Sequence, residues 1–323
     1  MALPTNTYTS FDAVGIREDL SDIIYDISPT ETPFASNIPR VKATNTKHEW
    51  QTDSLAAATS VAHLEGDDAT ADAAAATTRL FNDTQIFRKV ISVSGTQRAV
   101  NTAGRSDEYD YQLAKRGREM KRDIEKALIN DQALTTGTNT ATARTLAGLE
   151  TWLSTNKNHL ATTSTTPGAG TAIVNGNAIA ITTTTQLKNA VDTVIQQAWS
   201  AGGDPSVLMM SGAVKAGFSK VTGIATLYRD VPAKAQAQII AGADHYVSNF
   251  GNHAVVPNRF QNSDTIHVLD MDYWAIAELR AINSQPLAKT GDSSRAMLIS
   301  ELTLEARNES SSGKVADIGT LSI

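Results

Sequence analysis

The sequence predicts an α+β fold in two lobes, on three observations. At 323 residues the chain is longer than one hydrophobic core usually serves. It opens with a proline-rich arm, two strand-like runs and a long amphipathic helix, and it ends on long strands that return to them. Between these parts, residues 186–270 alternate helix and strand as a small α/β lobe does.

The arm comes first. Leu20, Ile23, Ile24 and Ile27 recur at helical spacing and predict a short helix that ends before Ser28-Pro29. In the following DISPTETPFASNIPR, Pro29, Pro33 and Pro39 fix φ and bias their preceding residues toward extended geometry. The segment is therefore expected to run over another surface rather than fold on itself.

Next come KHEWQTDSL and RLFNDTQIFRKVISVSGTQRAV, read as the two strands of one long hairpin. Between them lies a small-residue stretch with Glu65, Asp67 and Asp68 around Gly66, expected to form an acidic tip without a core of its own. A lone hairpin is marginal in water, so it needs a partner surface, another subunit included.

Ser106 to Leu134 is the strongest helix signal, with Ser106 read as N-cap and Asp107 and Glu108 in the first turn. Leu113, Gly117, Met120, Ile124 and Leu128 form its apolar side, and Lys115, Glu119, Arg122 and Lys126 its polar side. At that length it is a spine of roughly 40 Å.

Residues 135–185 read as surface loop around one short helical piece, AGLETWLS. Then QLKNAVDTVIQQAW predicts a helix closed by Gly202-Gly203, SVLMMS a buried strand, and SGAVKAGFSKV a second helix. HYVSNFG, HAVVPN and TIHVLDM read as short strands of the same sheet. YWAIAELRA and SRAMLISELTLEAR follow as strands, with Leu298, Leu302 and Leu304 on one face.

Composition excludes several function classes. The 28 basic against 34 acidic residues, net charge -6, argue against a chain whose main task is to neutralise phosphates. Zero cysteines exclude disulfides and thiolate metal sites and suit a reducing cytoplasm. The N-terminus lacks the pattern of a secretory signal, and no apolar run approaches ~18 residues, so the chain is read as soluble and unexported, with no membrane partner. The triplets at Asn82 and Asn308 are given no weight as glycosylation signals.

No catalytic constellation is visible. His48, His63, His159, His245, His253 and His267 have no zinc-protease spacing, and strand histidines are expected to be exposed or hydrogen-bonded. Neither a Gly-x-Ser-x-Gly elbow nor a Walker loop occurs, and Gly202-Gly203-Asp204-Pro205 reads as a turn before a strand. The tip carboxylates lack the alternation of a calcium loop. Arg79, Arg88, Lys89 and Arg98 punctuate the longer hairpin strand, where charge complementarity with a neighbour and blunting of an exposed edge both stand as readings. No catalytic residue, metal or cofactor is expected, and the chain is read as a non-enzyme.

The stretches IYDISPTETPFASNIPR, TRLFNDTQIFRKVISVSGTQRAV and EYDYQLAKRGREMKRDIEKALI, with NFGNHAVVPNRF and VLDMDYWAIAELR, resemble a family of major head proteins of short-tailed bacteriophages. That family has the Hong Kong 97-type fold, and the resemblance covers nearly the whole chain. It implies an N-terminal arm at 1–43, an extended loop at 44–100 and a peripheral domain with spine helix at 101–185. It further implies an axial domain at 186–270 and a return to the peripheral domain at 271–323.

The resemblance implies a structural subunit that self-assembles into hexamers and pentamers of an icosahedral head around double-stranded DNA, bound without sequence specificity. Implied partners are a separate scaffolding protein, a portal protein and a decoration protein, with assembly in the bacterial cytoplasm. Expected inter-subunit contacts are Pro29, Pro33, Phe34, Pro39 and Arg40 in the arm, and Glu65, Asp67 and Asp68 at the tip. Arg79, Arg88 and Lys89 on the strand, and Lys115, Arg122 and Lys126 on the spine, complete that set. Two rivals stand beside it: a hydrolase using His245 or His253, and a fibre or adhesive module, for which no internal repeat speaks.

Overall fold

The proline arm folds before it extends. The computed structural model describes residues 31–60, 62, 63, 65, 66, 68, 74, 76–100, 107–138, 141–158, 181–221 and 244–322; the helix expected near residue 20, Pro29 and Asp67 lie outside these. Contrary to the extended arm expected, Pro33–Asn37 forms a short helix, α1, with Pro33 in the first turn, where a missing N–H costs nothing. Phe34 is 0% exposed and meets Trp274 edge-on at 6.5 Å. The chain then straightens into β1 (Arg40–Lys42), which pairs in parallel with residues 276–278.

The long hairpin is shorter than its sequence suggests. β2 (Lys47–Thr52) pairs with β3 (Thr78–Asp83) over six residues, and the chain then breaks at Thr84. The next ten residues form β4 (Gln85–Ser94), which leaves the hairpin and pairs with residues 293–302. The break needs neither Gly nor Pro. Thr84, fully buried, donates its amide to Thr46 O at 2.8 Å and its hydroxyl to Glu301 at 2.9 Å.

After the short α2 (Gly95–Ala99), the spine α3 spans Glu108–Ile129, 22 residues or ~33 Å, shorter at both ends than expected. Asp107 takes the N-cap role expected of Ser106, accepting from the Tyr109 amide at 2.9 Å. Met120, Ile124 and Leu128 are buried as the stripe predicts. The AGLETWLS segment is core rather than surface: α4 (Leu149–Trp152) and its flanks are buried, with Leu146, Ala147 and Leu149 at 0% exposure. Gly148 allows this, because a Cβ there would lie 2.0 Å from Asn130 O.

The second lobe follows the predicted alternation. It contains β5 (Lys157–Asn158), β6 (Ile181–Thr183), α5 (Thr184–Ser200), β7 (Val207–Met210), α6 (Gly212–Phe218), β8 (His245–Ser248), β9 (Gly251–Pro257) and β10 (Ile266–Leu269). A capping box between Thr183 and Gln186 starts α5, and Gly202, at φ 91°, ends it.

β11 (Trp274–Pro286) and β12 (Ser293–Ala306) then return to the first lobe in a sheet ordered β1-β11-β12-β4, with α3 across it. The chain does not stay there. β13 (Gly313–Val315) and β14 (Ile318–Ser322) cross back, giving a six-stranded sheet β5-β13-β10-β7-β9-β8 and a two-stranded β14-β6. Residues 271–323 thus serve both lobes, correcting the expected return to one. The reason is energetic: Val315, at 0% exposure, completes the apolar face under α5 with Val191, Val194 and Val268.

Phe34→Ala is expected to destabilise the protein by about 3–5 kcal/mol, the usual cost of emptying a buried phenylalanine site. Arg88→Ala, on an exposed side chain, should stay within about 0.5 kcal/mol. Urea denaturation of both variants checks the contrast.

Candidate assembly interface

Three buried carboxylates join segments distant in sequence. Glu125, on the face of α3 next to the apolar stripe, is 0% exposed. It accepts from the amides of Phe34 at 2.9 Å and Ala35 at 2.8 Å, and from Asn258 Nδ2 at 2.7 Å. Thr32 makes no side-chain cap, so Glu125 caps α1 from across the fold and satisfies two of its free N–H groups. Burial pushes the Glu125 carboxyl up, and the amides of Ala35 and Phe34, with Asn258, pull it back only in part. Asn258 also donates its amide to Met210 O, so one carboxylate fixes arm, spine and second lobe together.

Glu301 on β12 does the same for the hairpin. It accepts from Thr84 at 2.9 Å, Arg144 at 2.7 Å and Arg280 at 2.7 Å, pinning the strand break between a loop and the neighbouring strand. The hairpin base adds Trp50, which donates to Ala306 O at 2.7 Å and lies 5.4 Å from the Trp152 ring. His48 pairs with Glu305 at 2.9 Å and holds that carboxyl below its usual value. The hairpin therefore has its partner surface at the base within its own chain.

The third joint is Glu150, in α4. It accepts from His267 Nε2 at 3.2 Å, Thr265 at 3.2 Å and Asn262 Nδ2 at 3.1 Å. Lys314, 3% exposed, donates to the Glu150 carbonyl. Burial pushes Glu150 up, but the His267 hydrogen bond and the charges of His267 and Lys314 outweigh it and hold the carboxyl low. Burial drives the Lys314 ammonium down to about 8.

What remains exposed contrasts with these joints. Residues 53–60 beyond the hairpin base are all exposed, with Leu55 at 99%. Glu65 and Asp68 are exposed too, as are Arg88, Lys115 and Lys126. Other expected contact residues are engaged within the chain. Phe34 is core and has no surface to offer a neighbour, which removes it from that set. Pro33 begins α1, Pro39 O accepts from Ile276 N, and Arg40 pairs with Glu278. Arg79 lies 3.6 Å from Glu49, Lys89 is 2.6 Å from Asp123 on the spine, and Arg122 stacks over Phe260 at 5.7 Å.

Among the described residues the histidines form no reactive group. His245 is exposed on an edge strand, and His253, 1% exposed, sits between Ser248 Oγ at 2.7 Å and Pro205 O at 2.6 Å. The Ser248 hydroxyl also accepts from the Phe250 amide, so the pair closes the β8–β9 turn. Among the described residues no cluster of three or more His, Asp or Glu is placed to hold a metal ion, and no helix is long and apolar enough to cross a membrane.

A chain of this build, with buried polar joints and an exposed run at residues 53–60, is similar over residues 3–319 to the SU10 major capsid protein family. The chain belongs to that family. It is 30% identical to the major capsid protein of Escherichia phage Phieco32, over 97% of each chain. The capsid subunit of cyanophage A-1(L) shares its fold at TM-score 0.66 and 14% identity, covering 94% of this chain and 97% of the other. That of cyanophage P-SCSP1u does so at 0.62 and 12%, covering 98% and 97%. This phage major capsid protein thus has the Hong Kong 97-type fold, and neither the hydrolase nor the fibre alternative finds support.

Lys314 gives the joints a pH signature. Its folded value, about 8, lies below its ordinary 10.5, so within that window the unfolded chain holds a proton that the folded chain has lost. Its contribution to stability therefore rises with pH from about 8 to 10.5 and is flat below. Urea denaturation of wild type and Lys314→Met across that range should show their difference shifting toward wild type; a constant difference would contradict the assignment.

Proposed function

We propose that this capsid protein builds the hexamers and pentamers of an icosahedral head, as a structural subunit without enzymatic activity. The observation that carries the proposal is the run of exposed residues 53–60 on a hairpin whose base is locked by Trp50, His48 and Asn82. A projection held at its root and exposed over residues 53–60 can reach a neighbour with little loss of conformational freedom. The first lobe, with α3 and the sheet β1-β11-β12-β4, takes the place of the peripheral domain, and the second lobe that of the axial domain.

Under this proposal Glu65, Asp67 and Asp68 face basic side chains on an adjacent copy, among which Arg88, Lys115 and Lys126 are exposed. Glu49, Asp123 and Phe260 already engage Arg79, Lys89 and Arg122, which leaves these as secondary contacts. Pro29 belongs to the same proposed arm. A scaffolding protein, a portal, a decoration protein and packaged double-stranded DNA are the partners proposed, with assembly in the host cytoplasm. The net charge of -6 favours a shell that encloses DNA over one that grips it.

Electron microscopy of the expressed chain, with and without a phage scaffolding protein, should show capsomers or closed shells; a monomer under every condition would contradict the proposal. Charge reversal of Glu65, Asp67 and Asp68 to lysine should lower particle yield while the melting temperature of the free subunit stays unchanged.

A further inference from the structure

One face of the first-lobe sheet is apolar and uncovered. β4 is an edge strand whose residues alternate: Phe87, Ile91 and Val93 are buried on the side that faces α3, and Ile86, Arg88, Val90 and Ser92 stand on the other. There Ile86 is 49% exposed and Val90 48%. The register sets Val90 against Met297 of β12 and Arg88 against Ile299. Ile86, Val90, Met297 and Ile299 therefore form one continuous patch, with Arg88 inside it and Arg295, opposite Ser92, at its end. All four strands of this sheet lie among the described residues, and both arginines are exposed. An antiparallel sheet with one wet face ordinarily carries polar side chains there, whereas β4 has the two apolar faces of a strand covered on both sides.

The sequence holds a segment of matching chemistry. Ahead of the described arm, Leu20, Ile23, Ile24 and Ile27 recur at helical spacing, and Asp19, Asp22 and Asp26 follow at the same spacing along one flank. As a helix, that apolar stripe is ~10 Å long, against ~13 Å from Ile86 to Val90 on the strand. Three carboxylates beside the stripe complement two arginines beside the patch. Other surfaces of the chain match less well. Residues 53–60 offer one large apolar side chain, Leu55, and one carboxylate, Asp53. A second copy of the same face would set Arg88 and Arg295 against like charges.

We propose that residues 19–27 of one copy lie as an amphipathic helix on the β4–β12 face of a neighbouring copy, with the apolar stripe on the patch and Asp19, Asp22 and Asp26 toward Arg88 and Arg295. The proposal rests on the capsid function above and names the surface that the arm takes. It assigns Arg88 to the arm and leaves Lys115 and Lys126 to the hairpin tip. The contact runs between copies because of where the arm enters its own fold. Glu125 holds α1, whereas β4 meets the spine through Lys89 and Asp123. Glu125 and Asp123 are ~200° apart around the helix axis, so arm and β4 lie on opposite sides of α3. The residues from Ile27 to Thr32 reach at most ~18 Å, less than the way over a helix ~10 Å wide and then around the sheet edge to its far face. A contact from the arm of one copy to the sheet of the next is head-to-tail and repeats around a ring.

The sequence contains no cysteine, so introduced thiols report only the contact under test. Assembled particles carrying both Ile23→Cys and Val90→Cys should react with a short bismaleimide to give covalent multimers, and neither single variant should cross-link. A cross-link confined to single chains, seen as a looped monomer, would overturn the contact between copies. Normal particles without any cross-link would overturn the placement of the arm and leave the capsid function standing, whereas failure of the wild-type chain to form particles would remove the capsid function itself. Cross-linking of Val90→Cys to Leu55→Cys in place of Ile23→Cys would give the face to the hairpin extension and overturn the proposal.

Charge exchange keeps the test independent of the thiols. Arg88→Glu with Arg295→Glu should weaken association of subunits roughly tenfold or more and lower particle yield. The melting temperature of the free subunit should stay unchanged, because both side chains are exposed. Adding Asp19→Lys and Asp26→Lys to that chain should restore the yield. Unchanged yield after the reversal, or no recovery after the exchange, overturns the proposal.

Discussion

The fold depends on a carboxylate in the wrong place for a surface helix. Glu125 lies inside, and its two oxygens take donors from the arm and from the end of β9, so the spine cannot move without breaking either contact. Removing a buried charge from water costs several kcal/mol, and charge-assisted hydrogen bonds return it only when the geometry is complete. A tie of this kind adds little net stability. It makes every partial docking costly, because a missing donor leaves a charge buried without compensation. Glu301 and Glu150 repeat the logic at the hairpin root and between α4 and the second-lobe sheet.

For a capsid protein this division has a physical use. A shell reuses the same interfaces many times, so small errors in the relative placement of arm, spine and lobe accumulate around a ring. Polar joints specify one arrangement where an apolar core would tolerate several. What stays exposed among the described residues is of another kind: residues 53–60, the spine lysines Lys115 and Lys126, and Trp199.

Much of this organisation is legible in the sequence, and the remainder fails for identifiable reasons. Local periodicity sufficed for α3, for α5 and for the strands from β7 to β10, because each has an apolar face of regular spacing. The break at Thr84 was not legible, since residues 78–94 are β-branched or aromatic enough to pass for one strand and the interruption comes from Glu301, over two hundred residues away. The AGLETWLS segment reads as a short helix, which it is, but its threonine-rich neighbours read as surface, while its burial comes from packing with Ile129 and Trp274 in one core. Glu125 left no such signal: it stands ~60° beyond Leu128 around the helix axis, outside the apolar stripe and midway to Arg122 on the polar side. The prolines of the arm predict extended backbone and do not show that Pro33 starts a helix.

The central claim is that arm, spine and both lobes are fixed within the free subunit and that assembly changes only the projecting surfaces. Hydrogen–deuterium exchange on the unassembled subunit and on the assembled particle compares the two directly. The amides of Phe34, Ala35 and Ile276 should be protected equally in both states, while residues 53–60 gain protection only in the particle. Protection of Phe34 and Ala35 that appears only on assembly would mean that Glu125 is a joint between subunits, or formed by them, and would contradict the account.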